Sequence, residues 1–239
     1  MSLYHDRGVV LRTHKLGEAD RIVTLLTRGH GKVRAVGKGV RKTKSRFGSR
    51  LEPPCHVNLL LYQGRELDIV SQAETIDHFR VVRDDLDLLG RAVTMLEAAD
   101  QLALEREPNA PLYEMLVGGL RTLAERDAPL VLAGFCLKVL VLEGFGPQVE
   151  ACVACGEPEP LVSWAIDEGG LCCRAHRQGG RPVSPEAVRV LQDVLGGRLG
   201  AALTETRAPV VSEVDHLATR ALEHHLERRL RSVTALHRG

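Results

Sequence analysis

The chain reads as an α+β protein, with a small five-stranded β-barrel at the N-terminus and an α-helical domain after it that carries a cysteine-rich insert. Three observations predict this. Apolar residues change from a spacing of two to helical spacing near residue 80 of 239. Charge divides at the same place: residues 1–80 hold 15 Lys and Arg against 8 Asp and Glu, a net of +7, and residues 81–239 hold 17 against 23, a net of −6. Four of the six cysteines fall within 22 residues. The overall charge of +1 therefore conceals a basic surface joined to an acidic body. A composition of 44% hydrophobic and 26% charged residues is that of an ordinary globular chain and excludes collagen-like or disordered classes.

The strands come first. Gly8-Val9-Val10-Leu11, Arg21 to Thr27, Lys32 to Val36, Val57 to Tyr62 and Leu67 to Val70 alternate or run in short β-branched stretches. Gly17, Gly29-His30-Gly31, Gly37 to Gly39, Pro53-Pro54 and Gln63-Gly64 punctuate them. Five short strands with the longest connection after the third suit a Greek-key barrel of the OB type, with an SH3-like barrel as the competitor.

Helices take over past Asp84. Leu89, Val93, Leu96 and Ala99 share one face, and Leu112, Met115, Leu116, Leu120 and Leu123 share another. Pro129 opens an almost wholly apolar helix that stops at Gly144 and belongs at the centre of a bundle. Ser184-Pro185-Glu186 reads as an N-cap, a first-turn proline and a dipole-matched acid. Ser212-Glu213 is read as opening the last helix, whose apolar stripe runs through Val214, Leu217, Leu222, Leu226, Leu230 and Val233. The domains expected are a basic nucleic-acid-binding barrel (1–80), a first helical part (81–150), a knuckle insert (151–182) and a C-terminal helical part (183–239).

Cys152-Val-Ala-Cys155 and Cys173-Arg-Ala-His176 form two knuckles of the kind that bring four ligands to one tetrahedral ion. Cys172 is the alternate third ligand. Four sulfur and nitrogen ligands close the coordination shell, so the spacing predicts a structural zinc site with no position for catalytic water.

The run from Arg28 to Arg50 holds nine basic residues and no acid. Such a one-sign segment suits a track for a phosphate backbone, with Lys32, Arg34, Lys38, Arg41, Lys42, Lys44, Arg46 and Arg50 as the DNA-binding candidates. Aromatic residues are only 3% of the chain, so base stacking is limited and binding should be salt-sensitive and tolerant of sequence.

Several classes fall away on pattern. No Walker A, HExxH or GxSxG motif occurs, and His225-Leu226-Glu227 lies on the wrong side of the cysteines for a deaminase. No apolar stretch reaches the ~18 residues of a membrane span, and the N-terminus has no apolar export core. A cytoplasmic, nucleoid-associated location is expected, with no membrane partner.

Taken in order, several segments resemble the RecO family of bacterial recombination mediators. They are Gly8 to Leu11, Gly17-Glu18-Ala19-Asp20-Arg21-Ile22-Val23, Gly31-Lys32, Gly37-Lys38-Gly39-Val40-Arg41-Lys42, Leu142-Glu143-Gly144-Phe145-Gly146-Pro147 and the two knuckles. One departure is His176, where the family's second knuckle commonly ends in cysteine. The resemblance covers nearly the whole chain. It implies a DNA-repair protein without catalytic residues that binds single- and double-stranded DNA and anneals complementary strands. With its partner RecR it would help load RecA onto DNA covered by single-strand binding protein. The acidic, apolar C-terminal tail of that protein would dock in the helical region, where Lys138, Arg121 and Arg126 are the candidate cations. Two other classes are weighed beside it: an RNA-binding protein of translation or ribosome assembly, and a zinc enzyme acting on nucleic acid.

Overall fold

A computed structural model describes residues 2–42, 45–126, 128–158 and 160–232. It divides into two compact units, one of residues 1–125 with the C-terminal stretch from 231, the other of residues 126–230.

The first unit is built on a closed barrel of β1 (Leu3–Leu16), β2 (Asp20–Thr27), β3 (Gly31–Gly37), β4 (His56–Tyr62) and β5 (Asp68–Asp77). The order is β1-β2-β3-β5-β4, and β4 closes back on β1. Every pairing is antiparallel except β3 with β5, where Ala35 faces Asp68 and Val36 faces Ile69. This is the OB-type closure expected from the strand pattern. β1 and β5 run longer than their apolar segments because each pairs with two neighbours, and polar residues at their ends extend the ladders. Val10, Val23, Leu25, Ala35, Val57, Leu59, Leu61 and Val70 fill the interior, and Phe47 and Leu51 from the long connection after β3 close it. β3 shows the period-two rule plainly: Val33 and Ala35 point in, Lys32 and Arg34 out.

Helices α1 (Arg80–Asp84), α2 (Leu86–Leu102) and α3 (Ala110–Glu125) complete this unit. The Asp85 side chain caps α2 by accepting from the backbone N–H of Leu88. The buried face of α2 is Ala92, Met95, Leu96 and Ala99; Val93, expected inside, is 40% exposed, because the face is turned by one position toward the small residues. The segment between α2 and α3 lies directly on the barrel. Gly31 has φ +65°, and a Cβ there would lie 1.9 Å from the Glu107 carbonyl oxygen, so only glycine admits the approach.

The second unit holds α4 (Val131–Leu142), α5 (Pro185–Leu195), α6 (Leu199–Ala202) and α7 (Ala208–His225), with a small sheet of β6 (Leu161–Ala165), β7 (Gly170–Cys173) and β8 (Arg181–Pro182) in the order β7-β6-β8. α4 is buried almost all round and packs on α5 and α7. Ser184 caps α5 by accepting from the Ala187 N–H at 3.1 Å. Two helix starts differ from expectation. Pro129 lies in a turn before α4, and α7 begins at Ala208 with Pro209 in its first turn, so Ser212 is inside the helix. The reason is visible: the Glu213 carboxylate accepts from the backbone and hydroxyl of Ser184 and holds the start of α5 rather than its own helix. α7 also ends earlier, at His225, where Glu227 turns into the left-handed region (φ +50°). Leu230 is buried beyond that break, and Val233 lies outside the described residues. No helix among the described residues is long and apolar enough to cross a membrane.

His56 joins barrel to helix within the first unit. It is 3% exposed, and its Nε2 lies 2.6 Å from the Tyr113 hydroxyl on α3. Burial first, then the charge of Arg121, pushes the imidazole down from 6.5 to about 4. The unfolded chain therefore binds a proton between these values that the folded one refuses. Stability from this site is complete above pH 6.5 and is lost as pH falls toward 4, by up to about 1.4 kcal/mol per pH unit. Denaturant unfolding of the protein and of His56→Gln across pH 4–7 checks this: the wild-type slope in that window should be the steeper.

Candidate metal centre and nucleic-acid surface

The β6–β7 hairpin and the turn at 152–156 build one centre. β7 ends at Cys173, a single 3-10 turn (Arg174–His176) brings His176 back, and the first knuckle folds over them. Gly156, with φ +77°, donates to the Cys152 carbonyl at 2.8 Å and closes that knuckle. At the other end of β7, a Cβ on Gly170 would lie 2.2 Å from the Gln148 carbonyl oxygen, so glycine lets the hairpin pack against the incoming chain.

The ligand atoms of Cys152, Cys155, Cys173 and His176 all lie within 4.8 Å of one another. Cys155 Sγ is 3.8 Å from Cys173 Sγ, and His176 Nδ1 is 3.4 Å from Cys173 Sγ and 4.0 Å from Cys152 Sγ. Tetrahedral bonds of ordinary zinc length set such atoms roughly 3.5–3.8 Å apart, so the donor set fits a tetrahedral ion. The electrostatics divide the four groups: Cys152 and Cys173 are shifted toward the thiolate, while Cys155, beside the Cys152 and Cys173 sulfurs, and His176, bonded to Cys173, are shifted up. A backbone hydrogen bond from Cys173 does most to bring the Cys152 thiol down to about 6, and the hydrogen bond with His176 lowers Cys173. Cys172 stands apart: it points to Glu168 at 3.7 Å, and burial followed by that carboxylate pushes its thiol up to about 11. All six cysteines are free thiols.

The basic run is divided by its surroundings. Lys32 is held inside: its Nζ donates to the Asp100 carbonyl at 2.6 Å and lies 3.5 Å from the Asp100 carboxylate, with 16% of the side chain exposed. Its backbone N–H donates to the Leu104 carbonyl, and its carbonyl accepts from Arg106. Arg34 faces Glu105 at 3.8 Å, and Arg28 bonds Glu114 at 2.9 Å. Past Gly37 the pattern changes. Lys38, Arg41, Lys42, Arg46 and Arg50 are exposed, and no carboxylate pairs with them among the described residues. Asp20 accepts from the Gly39 N–H at 2.7 Å and the Ala19 carbonyl from the Arg41 N–H at 3.0 Å, which fix the loop by its backbone, and the Arg41 guanidinium donates to the Gly17 carbonyl at 3.3 Å. Arg46 stacks over buried Phe47, 4.7 Å from the ring centroid, and Arg50 bonds the Arg46 carbonyl at 2.6 Å. Lys44 lies outside the described residues.

Beside Arg46 and Arg50 is a polar cleft of about 600 Å³ lined also by Ser71, Gln72, Glu74, Thr75 and His78. Ser71, Gln72 and Thr75 on β5, and His78 just past it, carry no motif; their one signal in the sequence is polar character beside buried Val70 and Ala73. Asp100, Glu105 and Glu114 carry none either, because their partners are 68 to 88 positions away in the chain. Of the aromatic residues near the barrel, Phe47 and Phe79 are buried, Tyr4 hydrogen-bonds buried Asp68, and Tyr62 is 41% exposed. Of the three helical cations, Arg121 is exposed on α3, Arg126 is exposed just after it, and Lys138 is half-buried on α4.

Comparison with known proteins bears on the whole chain. Residues 1–79 match the family model described as recombination protein O N terminal, and residues 83–234 match recombination protein O C terminal. The chain is 47% identical to the DNA repair protein RecO of Frankia casuarinae and 43% identical to that of Thermobifida fusca, each over the full length of both chains. It is 46% identical to the DNA repair protein RecO of a Nocardioides species, over 99% of this chain and all of the relative. With the barrel, the helical part and the Cys/His cluster all in place, the chain belongs to the RecO family of DNA repair proteins.

Proposed function

We propose that this protein is a non-enzymatic recombination mediator that binds single-stranded DNA through the loop between β3 and β4 and anneals complementary strands. The observation that carries this reading is the exposed, carboxylate-free set Lys38, Arg41, Lys42, Arg46 and Arg50 on a closed barrel. Cations with no carboxylate to neutralise them are free to replace the counterions of a phosphate backbone. Neutralising two strands at once lowers their mutual repulsion, which is what annealing requires. The polar cleft beside Arg46 and Arg50 has room for a nucleotide and offers two guanidinium groups with hydroxyl, amide and imidazole groups, set against the single carboxylate of Glu74. Scarcity of exposed aromatic residues favours binding that ignores sequence.

Zinc is the metal we assign to Cys152, Cys155, Cys173 and His176, where it would brace the insert. Four protein ligands leave no open position, so the reading gives it no part in a reaction. Family membership supports the remaining roles: the acidic tail of single-strand binding protein as a ligand of the helical region, RecR as a partner, and RecA loading as the outcome.

Two measurements check the reading. Charge reversal at Lys38, Arg41, Lys42 and Lys44 should weaken binding of a single-stranded oligonucleotide by at least tenfold, and slow annealing, without lowering the melting temperature. Unchanged affinity, or a preference for structured RNA, would overturn it. Cys152→Ser or Cys173→Ser should release about one zinc per chain to a colorimetric chelator and destabilise the 126–230 unit, while a wild-type protein purified without zinc would refute the metal assignment.

A further inference from the structure

We propose that a cleft at the end of α4, within the 126–230 unit, binds a basic peptide segment carrying an apolar or aromatic anchor. The proposal goes beyond the DNA-binding reading and concerns a different surface.

The cleft is about 490 Å³, a size that takes one or two side chains, and Leu140, Pro147, Trp164 and Ala221 are among its apolar lining. At its mouth Phe145 is 63% exposed, its ring tilted against His225 with centroids 4.2 Å apart. Val141, 53% exposed on the same helix end, adds to the apolar surface. An exposed aromatic beside other uncovered apolar side chains is a recurring mark of a protein-binding site.

Charge decides the occupant. Asp167, Glu168 and Glu227 line the cleft together with His224 and His225, and no Lys or Arg does; His224 Nδ1 lies 3.7 Å from the Asp167 carboxylate, so three carboxylates stand against two imidazoles. An acidic tail would meet three carboxylates there, so this is not a dock for the tail of single-strand binding protein. A segment with arginine or lysine flanking a leucine or phenylalanine fits instead: the anchor enters the cleft, and its cations meet the carboxylates and the face of Phe145. Trp164, nine-tenths buried, is part of the cleft lining, so an anchor seated there would pack against its ring.

Trp164 is the only tryptophan of the chain, so its emission reports this cleft alone. The full-length protein is titrated with an acetylated, amidated hexapeptide alternating arginine with leucine and phenylalanine, and with the same peptide carrying glutamate for arginine. The basic peptide should give a saturable change in Trp164 emission, with affinity falling at least tenfold in Asp167→Asn/Glu227→Gln and in Phe145→Ala. These three side chains are exposed, so the variants keep the fold. No saturable change, equal affinity for the glutamate peptide, or unchanged affinity in the double variant would overturn the proposal.

Discussion

The first unit depends on how β3 is held. Its inward residues, Val33 and Ala35, belong to the barrel core, and its outward residues, Lys32 and Arg34, meet Asp100 and Glu105. The segment that follows α2 is thereby tied to the barrel at several points: the backbone exchange at Lys32, the close approach at Gly31, and Arg106 on the buried carboxylate of Asp68. A buried carboxylate left unpaired would be costly, so Arg106 and Tyr4 both serve it, and their hydrogen bonds hold Asp68 below the usual carboxylate range despite burial. Once β3 is fixed in this way, the chain leaves Gly37 at a defined place, and the loop that follows carries its cations into solvent.

That arrangement gives one basic run two physical roles. Cations on the strand meet acids from α2 and from the segment after it, contributing to the packing of this unit. Among the described residues, cations past the strand have no such acids and keep their charge for an external anion. The net charge of the first 80 residues overstates what is available to an external anion, because part of it is cancelled by Asp100, Glu105 and Glu114 further along the chain. The second unit solves a different problem. Its insert is too short for a core of its own, and a Cys/His cluster of tetrahedral dimensions replaces one, anchored by the β6–β7 hairpin.

Much of this was legible in the sequence because it rests on local chemistry. The alternation of β3, the knuckle spacing of the four ligands and the Ser184 cap are all written within a few residues. What was not legible depended on partners distant in sequence. Ser212-Glu213 looks like a helix start, yet Glu213 serves Ser184, 29 positions earlier. Val93 has the right spacing to be inside, but the buried face runs through Ala92, Met95, Leu96 and Ala99, with Met95 as a large side chain among small alanines. Lys32 looked like a DNA ligand for the same reason that Lys42 does; only the placement of Asp100 separates them.

The salt dependence of single-stranded DNA binding should separate internal from external cations. The slope of log Kobs against log salt concentration is to be compared among the wild type, Lys42→Met and Lys32→Met. The slope should be smaller by about 0.7 in Lys42→Met, the share of a single phosphate on a single strand, and unchanged in Lys32→Met. Equal reductions in the two variants, or a reduction confined to Lys32→Met, would contradict that division.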